Sequence, residues 1–127
     1  AMILDEILEV AFSQGNSRIL RQNLINAGKV VPDFNNAAHH IVAGGSQYAD
    51  TARKILQKYG IDINDAVNGV FLPTVKGVSN ATYHPTLHTK AYYQKVEDLL
   101  MTATSREEVE IILDQIAQQL LDGTFMP

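Results

Sequence analysis

The chain has 127 residues, 46% of them hydrophobic, which suits one compact domain with a modest core and calls for no second one. It contains no cysteine, so disulfides and thiolate metal sites are excluded, and a transition metal would have to be held by His, Asp, Glu, Asn or water. The net charge of −4 argues against a generic grip on nucleic acid, but the charge is unevenly spread: residues 53–95 carry six basic and two acidic side chains, residues 96–127 one and seven.

No apolar stretch approaches the roughly 20 residues that span a bilayer, and the N-terminus lacks the basic-then-apolar order of a signal peptide. Ala1-Met2 reads as a cloning remnant, and a chain that opens directly in a helix is expected to be a fragment of something longer.

In chain order, Ile3, Leu4, Ile7, Leu8 and Ala11 recur at helical spacing, with Gly15 as a stop. A second helix is predicted from about Ser17 to Ala27, capped by Asn16 or Ser17 and closed by Gly28. "VVPDFNN" is a loop, and "AAHHIV" a short strand. After the punctuation "AGGS", Ala49, Ala52, Ile55, Leu56 and Tyr59 form the stripe of a third helix that stops at Gly60. "IDINDAVNGVFLP" reads as a turn-rich loop and a second strand stopped by Pro73, and residues 74–83 as a loop. A helix is expected from His84, with Pro85 at its first position and Leu87, Ala91, Val96, Leu99 and Leu100 as apolar contacts. Ser105 and Glu108 fit a capping box for a last helix, Arg106 to Leu121, ended by Gly123.

The histidines are the unusual feature. On a strand, His39 and His40 would point to opposite faces, so one could meet a metal and the other a substrate. The plainer alternative is a polar strand end, with one ring in solvent and one hydrogen-bonded in the core. His84 and His88, four apart, would stack on one face of a helix and could share one metal ion. Taken alone, that spacing fits a polar first helical turn equally well. Order adds weight: a His-His strand, a turn-rich connection, a second strand preceded by Asn68, then the segment carrying HxxxH.

That order, through "NNAAHHIVAG", "YGIDINDAVNGVFLP" and "HPTLHTKAYYQKV", resembles the ββα-metal nucleases of the HNH and endonuclease VII superfamily. The "AHH" of Ala38, His39 and His40 resembles the subgroup named for it. The resemblance covers Asn35 to about Leu100 and implies an α+β, mainly helical fold. Its HNH-like core (35–102) would hold two short strands and a metal-bearing helix, flanked by N-terminal helices (1–34) and a C-terminal helix (103–127).

Carried over by position, the resemblance makes His39, His84 and His88 ligands of a divalent ion (Zn, Mg, Mn or Ni) and His40 the general base. Asn68 would take the place of the middle Asn, orienting His40 or holding the loop between the strands, with Asn64 as its rival. Such domains are usually toxin tips of large secreted or contact-delivered bacterial proteins. That implies delivery as part of a larger effector, action in the target cell's cytoplasm and a cognate immunity protein.

The chemistry suits the residues. Phosphodiester hydrolysis needs a base for water near pH 7, the range of imidazole, and neutralisation of charge on the leaving oxygen, which a divalent ion supplies. Phosphates would be gripped by a small cationic set, chiefly Arg53, Lys76, Lys90 and Lys95. The expectation is a metal-dependent endonuclease cutting DNA ahead of RNA. The reading from another class is a non-catalytic helical interaction module with an acidic C-terminal face.

Overall fold

A computed structural model describes residues 14–127, so the helix expected over Ile3 to Ala11 lies outside the described residues. Helix α1 (Ser17–Asn26) starts where Asn16 places its side-chain oxygen on the N–H groups of Arg18 (3.0 Å) and Ile19 (3.2 Å). Its Leu20 and Leu24 are buried, and Gly28 takes the left-handed φ of +85° just past its end.

Strand β1 (Asn36–His40) pairs antiparallel with β2 (Gly69–Pro73), with His39 opposite Val70 and His40 opposite Gly69. Residues directly opposite share a face, so the ribbon has two different sides. Val70 and Leu72 enter the main core, while Ala38 and Phe71 form a smaller cluster with Leu20 and Leu24. His39 therefore faces the main core and His40 the α1 side. Gly69 is required there, because a Cβ on it would come within 2.5 Å of Leu20 Cδ1. The strand ends at His40, two residues earlier than "AAHHIV" suggests. Ile41 and Val42 are buried in a bend, held by Ile41 N–H donating to the Asn68 carbonyl at 2.8 Å.

Helix α2 (Asp50–Lys58) is entered through a 3₁₀ turn, Gln47–Ala49, and ends before Gly60, at φ +69°. A second 3₁₀ turn, Ala66–Asn68, leads into β2. Helix α4 (Arg106–Asp122) buries Val109, Leu113, Ile116 and Leu120, and Ser105 Oγ accepts from Glu108 N at 3.1 Å. The reciprocal half of its cap differs from a simple capping box: Glu108 accepts from Thr104 N at 2.8 Å, one residue before the cap.

The helix expected to begin at His84 needs correction. His84–Leu87 is a 3₁₀ turn, His88 breaks it at φ −89° and ψ 61°, and helix α3 runs Lys90–Leu100. Thr89 is extended and its hydroxyl accepts from Tyr92 N, so its capping preference decides where α3 starts. Pro85 fits the first turn of either kind of helix and did not discriminate. HxxxH therefore spans a turn and a helix entrance, not one face of an α-helix. The buried stripe of α3 is Tyr92, Val96 and Leu100. The fold is α+β, with helices around one two-stranded ribbon, in keeping with a small ββα-type nuclease.

Candidate active site

The 3₁₀ turn brings His84 to the end of β1. The ring centroids of His39 and His84 are 5.1 Å apart and those of His84 and His88 5.0 Å apart, both edge to face. A cleft of about 340 Å³ opens over them, bounded also by His40, Gly44, Gly45 and Tyr93. A roomier apolar groove of about 400 Å³ lies between α1 and α4, against Leu24, Val30, Phe71 and Leu121. No histidine lines it, and all four histidines border the smaller cleft.

The two strand histidines are held very differently from each other, as their opposite faces require. His39 is only 4% exposed and its Nε2 lies 2.8 Å from the Tyr92 hydroxyl. Burial depresses its pKa well below the usual 6.5, and the neighbouring His84, His88 and His40 push it the same way. His84 is also lowered, by burial first and by His88 second. Both rings are thus neutral near pH 7, the state in which imidazole offers a lone pair.

His40 is half-buried on the α1 side, its Nε2 2.8 Å from Asn64 Oδ1. The orientation of that amide follows from its partners. Its nitrogen faces the Gln14 carbonyl at 2.8 Å, which can only accept, and its oxygen faces Asn16 N–H at 2.8 Å, which can only donate. His40 must therefore donate from Nε2, leaving Nδ1 with the lone pair. Gly15 and Gly44 make this possible: a Cβ on either would come within 2.8 or 2.7 Å of the other's Cα. Larger residues would push Gln14 away from Asn64.

The Asn68 side chain makes no hydrogen bond to His40. Completely buried, it accepts from Val42 N (2.9 Å) and donates to the carbonyls of Val42 (3.1 Å) and Ile63 (2.9 Å). It holds the bend after β1, and Asn64, its rival in the sequence, is the residue that orients His40. Arg53 is also committed elsewhere: its guanidinium donates to the carbonyls of Ala43 (2.9 Å) and Ser46 (2.7 Å), pinning the loop that walls the cleft. Lys95 donates to the Met126 carbonyl and lies over Phe125. Lys90, two residues past His88, sits 4.9 Å above the exposed Tyr48 ring, and Lys76 sits 5.5 Å above Tyr83.

The model of a family described as a nuclease family of the HNH/ENDO VII superfamily with conserved AHH matches residues 20–120. The chain belongs to this nuclease family. The match reaches beyond the motif-bearing middle into α1 and α4, and Ala38-His39-His40 is the one AHH in the sequence. No curated protein and no solved structure matches. The substrate of an AHH nuclease is a nucleic acid, and no helix among the described residues is long and apolar enough to cross a membrane.

Nucleases of this superfamily typically depend on a metal ion. The donor chemistry of this AHH nuclease fits one: three imidazoles, two of them kept neutral. The spacing fits as well, since two imidazoles on one tetrahedral ion, with metal–nitrogen distances of about 2.1 Å, have centroids about 5.2 Å apart. A finished shell is not in place: the described residues contain no group of three His, Cys, Asp or Glu side chains set to hold a metal ion.

Proposed function

We propose that this nuclease is a metal-dependent endonuclease that hydrolyses DNA, with His40 as general base and His39, His84 and His88 as the metal ligands. The observation that carries the reading is the pairing of two environments across one strand. His40 borders the cleft with Nε2–H anchored on Asn64 and Nδ1 left with its lone pair, while His39 joins His84 and His88 on the other side. His40 Nδ1 takes the proton of the attacking water as the new P–O bond forms. The old P–O bond breaks, and the leaving oxygen takes up a proton from solvent. A divalent ion, when bound, supplies Lewis-acid neutralisation of charge at the phosphate and leaving oxygen.

With Arg53 and Lys95 engaged inside the protein, Lys76 and Lys90 are the cations of the expected set that remain for phosphate. So few contacts imply modest affinity that weakens with salt. Cutting of the chromosome would kill the producer, which supports the toxin reading with a cognate immunity protein. The acidic start of α4, Glu107 and Glu108, is a surface that would steer a basic partner.

The test is incubation of plasmid and of total RNA with the protein and Mg²⁺, Mn²⁺, Zn²⁺ or Ni²⁺, each with and without chelator. Metal-dependent nicking of plasmid with RNA spared is the expected result. RNA cut in preference to plasmid would reassign the substrate. Cleavage of neither substrate under any condition would return the chain to an interaction module.

A further inference from the structure

Tyr92 is completely buried on α3, and its hydroxyl touches two groups: the Ile41 carbonyl at 2.8 Å and His39 Nε2 at 2.8 Å. A carbonyl only accepts, so the single hydroxyl proton must lie between Tyr92 and Ile41. The oxygen can then only accept from the imidazole. We propose that Tyr92 is a positioning residue for His39: it holds the ring in the Nε2–H tautomer and so makes Nδ1 the nitrogen offered to a ligand in the cleft.

Tyr92 is well placed for this because it ties together both halves of the site. Its ring packs against His39 (5.6 Å) and Phe125 (5.7 Å), and its own N–H completes the Thr89 cap that starts α3 directly after His88. One residue therefore fixes the strand histidine through its hydroxyl and, through its backbone N–H, the start of the helix that follows His88. Burial pushes its phenol far above the usual range, with Tyr93 adding to the effect, so it stays a neutral acceptor at any working pH. Outer hydrogen bonds of this kind set ligand tautomer and are commonly worth about 10- to 100-fold in metal affinity.

The proposal rests on the metal-dependent reading for what Nδ1 would bind, and the experiment separates the two. Long-range proton–nitrogen correlation spectra of the metal-free protein, at mildly alkaline pH, should show His39 with a protonated Nε2 and a bare Nδ1. The reverse pattern overturns the proposal. In Tyr92→Phe the ring remains but the acceptor is gone, so His39 should populate both tautomers and calorimetric Zn²⁺ affinity should fall about 10- to 100-fold. A folded variant with one unchanged tautomer and parent affinity also overturns it. If Tyr92→Phe does not fold, the parent spectrum alone decides. A parent with the expected tautomer that binds none of Mg²⁺, Mn²⁺, Zn²⁺ and Ni²⁺ sinks the metal reading and leaves the Tyr92–His39 assignment standing.

Discussion

The strand half of the site and the turn half are built to different standards. His39 and His40 each have a 2.8 Å hydrogen bond to a buried partner, and those partners fix which nitrogen carries the proton. His84 opens a 3₁₀ turn and His88 ends it, and the one hydrogen bond to either of these rings among the described residues, between the Tyr93 hydroxyl and His88 Nδ1, is stretched to 3.5 Å. The difference shows where preorganisation matters most. In the proposed roles, a base has to meet its water at one angle and a buried ligand to present one lone pair, whereas ligands on a turn can adjust their rings as an ion arrives. It also explains why the imidazoles are at ligand spacing without a finished shell.

The sharpest way to break the comparison is to exchange the fates of the two strand histidines. His40→Ala should fold, keep most metal affinity and lose about 10² to 10⁴ in cleavage rate, the usual worth of a general base. His39→Ala should lose both metal and cleavage. Zn²⁺ titration, melting temperature and nicking rate on the two variants test the assignment. It fails if His40→Ala cuts at near-parent rate, or loses the metal while His39→Ala retains it.

A smaller effect probes the support behind the base. Asn64→Ala removes the acceptor from His40 and leaves the Gln14 carbonyl and Asn16 N–H unpaired, which should cost about 1–3 kcal/mol of stability. Cleavage should fall by less than in His40→Ala, with Zn²⁺ affinity unchanged, since His39 has its own partner. Asn68→Ala should behave otherwise: its bonds hold the bend, so it should unfold more easily with no selective loss of rate per folded molecule. Equal ratios of lost rate to lost stability in the two variants would remove the distinction between them.

That pair of asparagines marks how far the sequence could be read. Hydrophobic periodicity, caps and glycines located α1, α2, α4 and both strands, because those signals are local. The alternation of a strand puts His39 and His40 on opposite faces, as the pairing of His39 with Val70 and of His40 with Gly69 bears out. HxxxH falls outside a single helix because Pro85 and Thr89 both fit helix starts, and it is the extended Thr89, its hydroxyl accepting from Tyr92 N, that opens α3. Asn64 and Asn68 are alike as turn residues, and their roles separate only through partners as far away in sequence as Gln14 and Asn16. The spacing of Tyr92, four from Val96 and eight from Leu100, marks it as core and nothing more. A hydroxyl that reaches 53 residues back to His39 leaves no trace in spacing. Arg53 reads as a phosphate-binding cation because the carbonyls it binds are invisible in a sequence.

The smallest expected effect is on stability of the metal-free protein, and it again divides the two halves. Burial lowers the pKa of His39 well below 6.5 and lowers that of His84 as well. In the unfolded chain both take up protons as pH falls through about 6.5, while the folded protein resists. Above that range both states are neutral and the pair contributes nothing to the slope. Below it the unfolded state binds more protons, so stability drops until the lowered folded values are reached. Each group accounts for at most about 1.4 kcal/mol per pH unit. Glu108 acts in a separate window: the Thr104 hydroxyl, and then its N–H, lower the Glu108 pKa below 4.5, and the stabilisation is lost only in acid. Melting curves in chelator should therefore be level above neutrality and decline between neutral and mildly acidic pH. The decline should be gentler in His84→Gln, and gentler still in His39→Gln, whose imidazole is the more deeply buried. A parent profile that stays level across that range would mean that the strand half is not closed to protons.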